Sequence, residues 1–333
     1  MNAIFLSRYP EKLEAVYPLR LREKICEEAD CCGDFFDKKD ILNDPEKFRQ
    51  VKWIFSTWGM PEFTEAEIRS LLPSLEAVFY AAGSVQSFAR PFLHCGVKVF
   101  SAWMANAVPV AEYTVAQILL ANKGFFAAAR QMSAGAVADA RAAAKAYPGN
   151  FGATVGIIGT GAIGRLVCKA LKPYRLRVLA CSLELNAELA GELGVEISDM
   201  ETIFRTCHVI SNHLANNEQT KGIYRYDHFA AMRPYATFLN TGRGAQVVEK
   251  DLIEVLSQRP DLTAVLDVTY PEPPEVASPF YTLPNCVLTP HIAGSSGWEV
   301  QRMAEWIWEE YLRHRESMPC RYEVTEKMLE VMA

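Results

Sequence analysis

Short apolar runs alternate with stretches of helical periodicity along the first hundred residues. The runs 2–6, 53–56, 77–80 and 97–101 predict buried strands, and 13–26, 64–72 and 85–93 predict helices between them. This βαβ alternation implies a small parallel sheet flanked by helices. From Val108 to Leu120 the run VPVAEYTVAQILL predicts a long apolar helix, continued by the alanine-rich FFAAARQMSAGAVADARAAAKAY. Such a segment left bare on a monomer would be unusual, so it is expected to pack on something, another subunit being the natural partner.

A second α/β unit begins at Thr154, with strands predicted at 154–158, 177–181, 208–211, 236–239, 263–266 and 286–289. Six strands interleaved with helices fit a doubly wound parallel sheet, whose ligands sit at the carboxyl ends of the strands. One long helix and a tail are expected from Trp298. The boundary between the halves is placed near 102–107, where the apolar helix begins.

Length and composition agree with two globular domains: 333 residues, half of them apolar and 22% charged. A formal charge of −6, with no long basic run, speaks against a nucleic-acid partner. The nine cysteines show no C-x-x-C and no ligand-spaced His/Cys cluster, so reduced thiols and no metal are expected, with Cys31-Cys32 in a loop. Neither a signal peptide nor an 18-residue apolar run is visible, which predicts a cytoplasmic protein without a membrane partner.

The chemistry is concentrated in the second unit. VGIIGTGAIGRL carries Gly159-x-Gly161-x-x-Gly164 between a predicted strand and a predicted helix, the context in which this pattern binds a dinucleotide. Arg243, Glu272 and His291 each follow a predicted strand, so their side chains are expected to converge at one crevice. Histidine titrates near neutrality and suits acid–base work; a carboxylate on its other nitrogen fixes the tautomer. Arginine binds a carboxylate through a planar fork that lysine lacks.

From about residue 75 to 310 the chain resembles the D-isomer-specific 2-hydroxyacid dehydrogenases, a family that includes phosphoglycerate, glycerate and D-lactate dehydrogenases. The resemblance runs through ANAVPVAEYT, GIIGTGAIGRL, HVISNHLANNEQTKG, MRPYATFLNTGRGAQVVEKDL, AVLDVTYPEPP and LPNCVLTPHIAG, in family order. It implies an α/β fold of two Rossmann-like domains with an active-site cleft between them. Residues 1–105 plus 299–333 would be a flavodoxin-like substrate domain and 106–298 the NAD(P)-binding domain. It also implies interconversion of a 2-oxoacid and a D-2-hydroxyacid by hydride transfer, in a homodimer, with Arg243, Glu272 and His291 catalytic.

Residue by residue, the resemblance places Ala82, Gly83 and Ser84 in the loop that cradles the substrate carboxylate, although the usual Gly-Val-Asp there is altered. Asn106 falls near the hinge and the substrate. Gly159, Thr160, Gly161, Ala162, Ile163 and Gly164 form the phosphate turn. His213, Leu214, Ala215 and Thr220 match the loop under the adenine and nicotinamide ribose, with Ala215 standing where proline is usual. Thr241, Gly242 and Asp267 border the nicotinamide, Asp267 contacting its carboxamide.

Coenzyme choice turns on Ser182, which stands where the family has a ribose-binding aspartate. Glu184 is a candidate substitute and Arg165 a candidate phosphate partner, so NAD is expected, with NADP open. Core packing is the expected role of Trp58 and Trp298. The resemblance also keeps a rival in view, a non-catalytic dinucleotide-sensing corepressor of the same fold; the formate dehydrogenase branch, which carries glutamine at the Glu272 position, is disfavoured.

Overall fold

Five apolar or half-apolar stretches of the N-terminal region become parallel strands in the computed structural model, which describes residues 1–330. They are Ala3–Leu6 (β1), Cys31–Phe36 (β2), Trp53–Ser56 (β3), Ala77–Tyr80 (β4) and Lys98–Ser101 (β5). The sheet order is β5-β4-β3-β1-β2, and Glu323–Val324 joins β5 antiparallel at the outer edge. Cys31 and Cys32 therefore open a strand and are not in a loop. Half-exposed edge strand β2, which contains Gly33 and Asp34, lacks the continuous apolar run that marks its neighbours. The single helix expected over 13–26 is two, Pro10–Val16 and Leu19–Ala29, because Pro18 sits in extended backbone between them and offers no N–H.

Aromatic packing joins the C-terminal helix to this sheet. Phe79 and Phe100 stack with centroids 4.9 Å apart, and Tyr311 from helix Val300–Arg315 meets Phe55 and Phe79 edge-on at 5.3 and 5.4 Å. Each such fully buried ring contributes roughly 1.5–3 kcal/mol. That is why the end of the chain folds with its beginning: one compact unit is Met1–Asn106 plus the part from Ser295, and the other is Ala107–Gly294. Residues 331–333, assigned by sequence to the first domain, lie outside the described residues. The expected tail is not bare chain, since it carries Glu323–Val324 and a helical turn, Glu326–Leu329.

The second unit has seven parallel strands: Phe151–Ile158 (β6), Arg175–Cys181 (β7), Glu196–Ile197 (β8), Val209–Asn212 (β9), Thr237–Asn240 (β10), Thr263–Leu266 (β11) and Cys286–Leu288 (β12). Their order is β12-β11-β10-β9-β6-β7-β8, so the winding reverses between β6 and β9. The extra strand, β8, is two exposed residues long and leaves no apolar run to read. A crevice at a reversal of this kind is where doubly wound sheets bind ligands.

The apolar helix runs from Trp103 to Asn122 and then stops. It restarts as Phe125–Ser133 and Val137–Lys145, because Gly124 and Gly135 take left-handed backbone (φ 67° and 76°) between the pieces. Phe125, Met132 and Val137 along it are exposed. Trp58 packs half-buried against the first unit's core, as expected, whereas Trp298 is 89% exposed in a short turn and packs in no core. Among the described residues, no helix is long and apolar enough to cross a membrane and no cluster could hold a metal ion.

Candidate active site and dinucleotide turn

Two of the three glycines after β6, Gly159 and Gly164, are required by a neighbour. Gly159 has φ 96°, and a Cβ there would lie 2.6 Å from the carbonyl of His213; a Cβ on Gly164 would lie 2.0 Å from the carbonyl oxygen of Gly159. The turn is thus clamped onto the loop after β9. By contrast, a Cβ on Gly161 would meet nothing within 4 Å, so backbone there faces open space. Helix Ala162–Leu171 begins at this point without a side-chain cap, leaving its first amides for an anion. Two buried polar atoms beside the turn, Thr160 Oγ1 and His213 Nδ1, lack a partner. The residues present fit a dinucleotide: an open approach at Gly161, uncapped amides and unpaired polar atoms beside them.

Burial pushes the His213 imidazole down to about 4, so at neutral pH it is an uncharged ring bonded to Ser211 Oγ at 2.9 Å. Leu214 and Ala215 are held from behind, their carbonyls accepting from Gln246 Nε2 at 3.0 and 2.9 Å. Thr220 is used inside its own loop, donating to the Ala215 carbonyl at 2.6 Å.

Arg243 sits on a loop fixed by a buried polar network. Asn212 Nδ2 donates to Asn240 Oδ1 (2.9 Å) and to Gln246 Oε1 (2.6 Å), and Tyr224 donates to Asn212 Oδ1 (2.7 Å). Asn240 then accepts from Gly242 N and donates to the Arg243 carbonyl, both at 3.1 Å. Gly244 completes the seat, since a Cβ there would lie 2.0 Å from the carbonyl carbon of Thr269. The guanidinium donates to the Gly242 carbonyl at 2.8 Å; burial lowers its pKa and the charge of Glu272 opposes that. Thr241, also buried, meets Thr114 Oγ1 at 3.3 Å.

Glu272 and His291 are brought together, with Glu272 Oε1 2.7 Å from His291 Nδ1. They line a cavity of about 550 Å³ together with Asp267, Thr269, Tyr281 and Thr289. His291 is in left-handed backbone (φ 55°), a conformation that costs a non-glycine residue about 1–3 kcal/mol and has to be held by its surroundings. Asp267, 2% exposed, does the holding: its carboxylate accepts from Ile292 N (2.8 Å), Ala293 N (2.9 Å) and Thr289 Oγ1 (2.6 Å), and its carbonyl accepts from His291 N (3.0 Å). Sequence reasoning assigned Asp267 to the nicotinamide and passed over Asn212, Asn240, Gln246 and Thr289. For Asn212 and Asn240 the signal is visible in retrospect, a polar residue closing an apolar strand in VISN and TFLN.

In the first unit, Ser101 Oγ donates to the carbonyls of Ala82 (3.0 Å) and Gly83 (2.6 Å). Asn106 lies against Gly83, 3.5 Å from where its Cβ would be, and accepts from Ser295 N at 3.0 Å. The loop and Asn106 therefore adjoin, with Ser84 exposed. At the end of β7, Ser182 is half-buried and Glu184 is 74% exposed, its carboxylate 3.5 Å from Arg165 Nη2.

A family profile described as "D-isomer specific 2-hydroxyacid dehydrogenase, NAD binding domain" matches residues 115–293. A D-3-phosphoglycerate dehydrogenase of Archaeoglobus fulgidus is 30% identical over 237 residues, 71% of this chain and 44% of that relative. A mitochondrial formate dehydrogenase of Solanum tuberosum is 27% identical over 246 residues, 73% of this chain and 64% of that relative. The chain thus spans about half the length of these curated relatives. The crystal structure of a phosphoglycerate oxidoreductase from Rhizobium etli superposes with a TM-score of 0.81 at 19% identity, over 98% of this chain and 99% of that one, a likeness of fold.

Proposed function

The chain belongs to the D-isomer-specific 2-hydroxyacid dehydrogenases, and from that premise we propose that it interconverts a 2-oxoacid and a D-2-hydroxyacid by hydride transfer, using NAD(P). The observation that carries this reading is the 2.7 Å contact of His291 with Glu272 in a cavity whose lining also includes Asp267 and Thr289. With Glu272 on Nδ1, the imidazole presents Nε2 for a proton. In the reducing direction the ring gives that proton to the substrate oxygen, and Glu272 on Nδ1 fixes the ring's orientation. Arg243 stays charged despite burial and binds the substrate carboxylate and carbonyl. Ala82, Gly83, Ser84 and Asn106 receive the carboxylate in this reading. The nicotinamide, when bound, supplies or accepts the hydride.

The same reading gives the cofactor its contacts. Amides of Thr160, Ala162 and Ile163 take the pyrophosphate, and Thr160 Oγ1 and His213 Nδ1 find in the dinucleotide the partners they lack. NAD is the preferred form because Arg165 is already engaged, by the Thr160 carbonyl at 2.8 Å and by Glu184. A 2′-phosphate near Ser182 would meet the Glu184 carboxylate, whereas a ribose hydroxyl would donate to it. The exposed apolar residues at 125–137 support a homodimer through this segment, which light scattering checks.

Turnover with a panel of 2-oxoacids is the test. His291→Ala should lower it at least about a hundredfold with NADH affinity nearly unchanged; near wild-type turnover would remove His291 from the role. Cofactor binding with no turnover on any 2-oxoacid would favour a sensor. For coenzyme choice, fluorescence titration should show NADH binding tighter than NADPH, with Glu184→Gln narrowing the gap.

A further inference from the structure

We infer that Tyr113 and Thr289 are positioning residues for His291, acting through Asp267; the inference rests on the proposed acid–base role of His291. Asp267 is an acceptor, so the 2.6 Å contact from Thr289 Oγ1 uses the single hydroxyl hydrogen of Thr289. The contact between Tyr113 and Thr289 Oγ1, at 3.1 Å, is then polarised in one direction: Tyr113 must be the donor. A chain of hydrogen bonds results, from Tyr113 to Thr289 to the Asp267 carboxylate, which in turn accepts the amides of Ile292 and Ala293.

The consequence lies at His291 itself. Its left-handed backbone is held by these two following amides and by its own N–H, which donates to the Asp267 and Thr289 carbonyls at 3.0 Å each. Thr289 therefore grips the loop twice, with its carbonyl on the His291 amide and its hydroxyl on the Asp267 carboxylate. Removing that hydroxyl takes away one of the carboxylate's three donors and leaves Tyr113 with no acceptor in the chain. The carboxylate is then free to turn, and with it the loop that sets the distance from His291 Nδ1 to Glu272. Since Tyr113 stands on helix Trp103–Asn122, far in sequence from the loop, the arrangement is not a by-product of local turn geometry.

The experiment is a mutant cycle on the intact enzyme at saturating cofactor and 2-oxoacid. Thr289→Val, which keeps the shape of the side chain, should lower kcat about tenfold, with KM and cofactor affinity changed less than about twofold. Thr289→Ser should restore kcat to within about twofold, and Tyr113→Phe should lower it about threefold at an unchanged melting temperature. In the His291→Ala background, Thr289→Val should change kcat no further, because a residue acting through His291 has nothing left to position. An equal loss in both backgrounds, or a Thr289→Val enzyme with full kcat, overturns the inference. Failure of the underlying reading looks different: His291→Ala alone would then keep its turnover.

Discussion

The two parallel sheets of this protein finish their strands in different chemistry. In the first unit, buried hydroxyls close the strands and bond to nearby carbonyls: Ser56 to Leu6 (2.6 Å), Thr57 to Ala81 (2.9 Å), Ser101 to Ala82 and Gly83. In the second, carboxamides and a carboxylate stand at the equivalent ends, and each reaches several loops: Asn212, Asn240 and Asp267, with Gln246 behind them. A hydroxyl has one hydrogen to give and satisfies a carbonyl next door, whereas an amide has two donors and an acceptor and ties separate loops together. The difference explains why the same architecture serves as a packed platform in one unit and as a holder of side chains in the other.

The hardest blow to this comparison would fall on a glycine. Gly244→Ala puts a Cβ 2.0 Å from the Thr269 carbonyl carbon, backbone that cannot swing aside. Denaturant unfolding should show a loss of more than about 4 kcal/mol, or no folded second unit at all. Gly83→Ala in the first unit would bring its Cβ no closer than 3.5 Å, to a flexible side chain, and should change stability by less than about 0.5 kcal/mol. Equal effects would mean that the loops of the two units are held alike.

Acid tests the same contrast through His213. Its imidazole, normally titrating near 6.5, is pushed by burial down to about 4, so the folded state resists a proton that the unfolded chain accepts. Stability from this site is therefore complete above about pH 6.5 and is lost as pH falls toward 4. That lowering corresponds to about 3 kcal/mol. Urea midpoints taken between pH 7 and 4 should fall along that course. In His213→Asn the contribution should vanish; an unchanged acid limb would show that other groups govern it.

Smaller, and more direct, is the pair Asn240→Ala and Ser56→Ala. Removing Asn240 strands the Gly242 amide and takes one partner each from Asn212 Nδ2, which keeps Gln246 Oε1, and from the Arg243 carbonyl; this should cost about 2–3 kcal/mol and weaken substrate binding. Removing the Ser56 hydroxyl leaves two carbonyls short of one donor, for about 1 kcal/mol. Calorimetry of both variants decides whether carboxamide-tied strand ends matter more than hydroxyl-tied ones.

These residues also mark the limit of what could be read in advance. Continuous apolar runs such as AIFL, AVFY and TAVL announce central strands because both faces are buried. Edges such as β2 and β8 carry no such run, and the helix break at Gly135 depends on a φ of 76° that periodicity does not encode. At the site, motif order named Arg243, Glu272 and His291, and the last two prove to be in contact. Asp267 was placed by motif alone, yet its structural work follows from burial and three donors, which only three-dimensional proximity reveals. Trp298 departs from its expected core position because bulk and hydrophobicity alone do not bury a side chain, and its turn leaves the residue 89% exposed.

The smallest expected effect lies on the first unit's surface, where an ionic contact adds to the packing of buried Leu329. His94 bridges two carboxylates, Glu65 at 2.9 Å on Nδ1 and Glu326 at 3.1 Å on Nε2, with Arg69 near the first and Arg90 near the second. The bond to Glu65, then that to Glu326, raises the imidazole above its usual 6.5 and correspondingly lowers Glu65. A raised histidine contributes fully below 6.5 and loses its contribution as pH climbs through the raised value. The helical turn Glu326–Leu329 should accordingly exchange its amides faster on the alkaline side, once intrinsic exchange is corrected for. A His94→Leu variant should exchange at that faster rate at every pH, and the two proteins should converge when the imidazole is neutral. A difference that persists into alkaline solution would assign the tether to packing, and the two units would then differ at their strand ends alone.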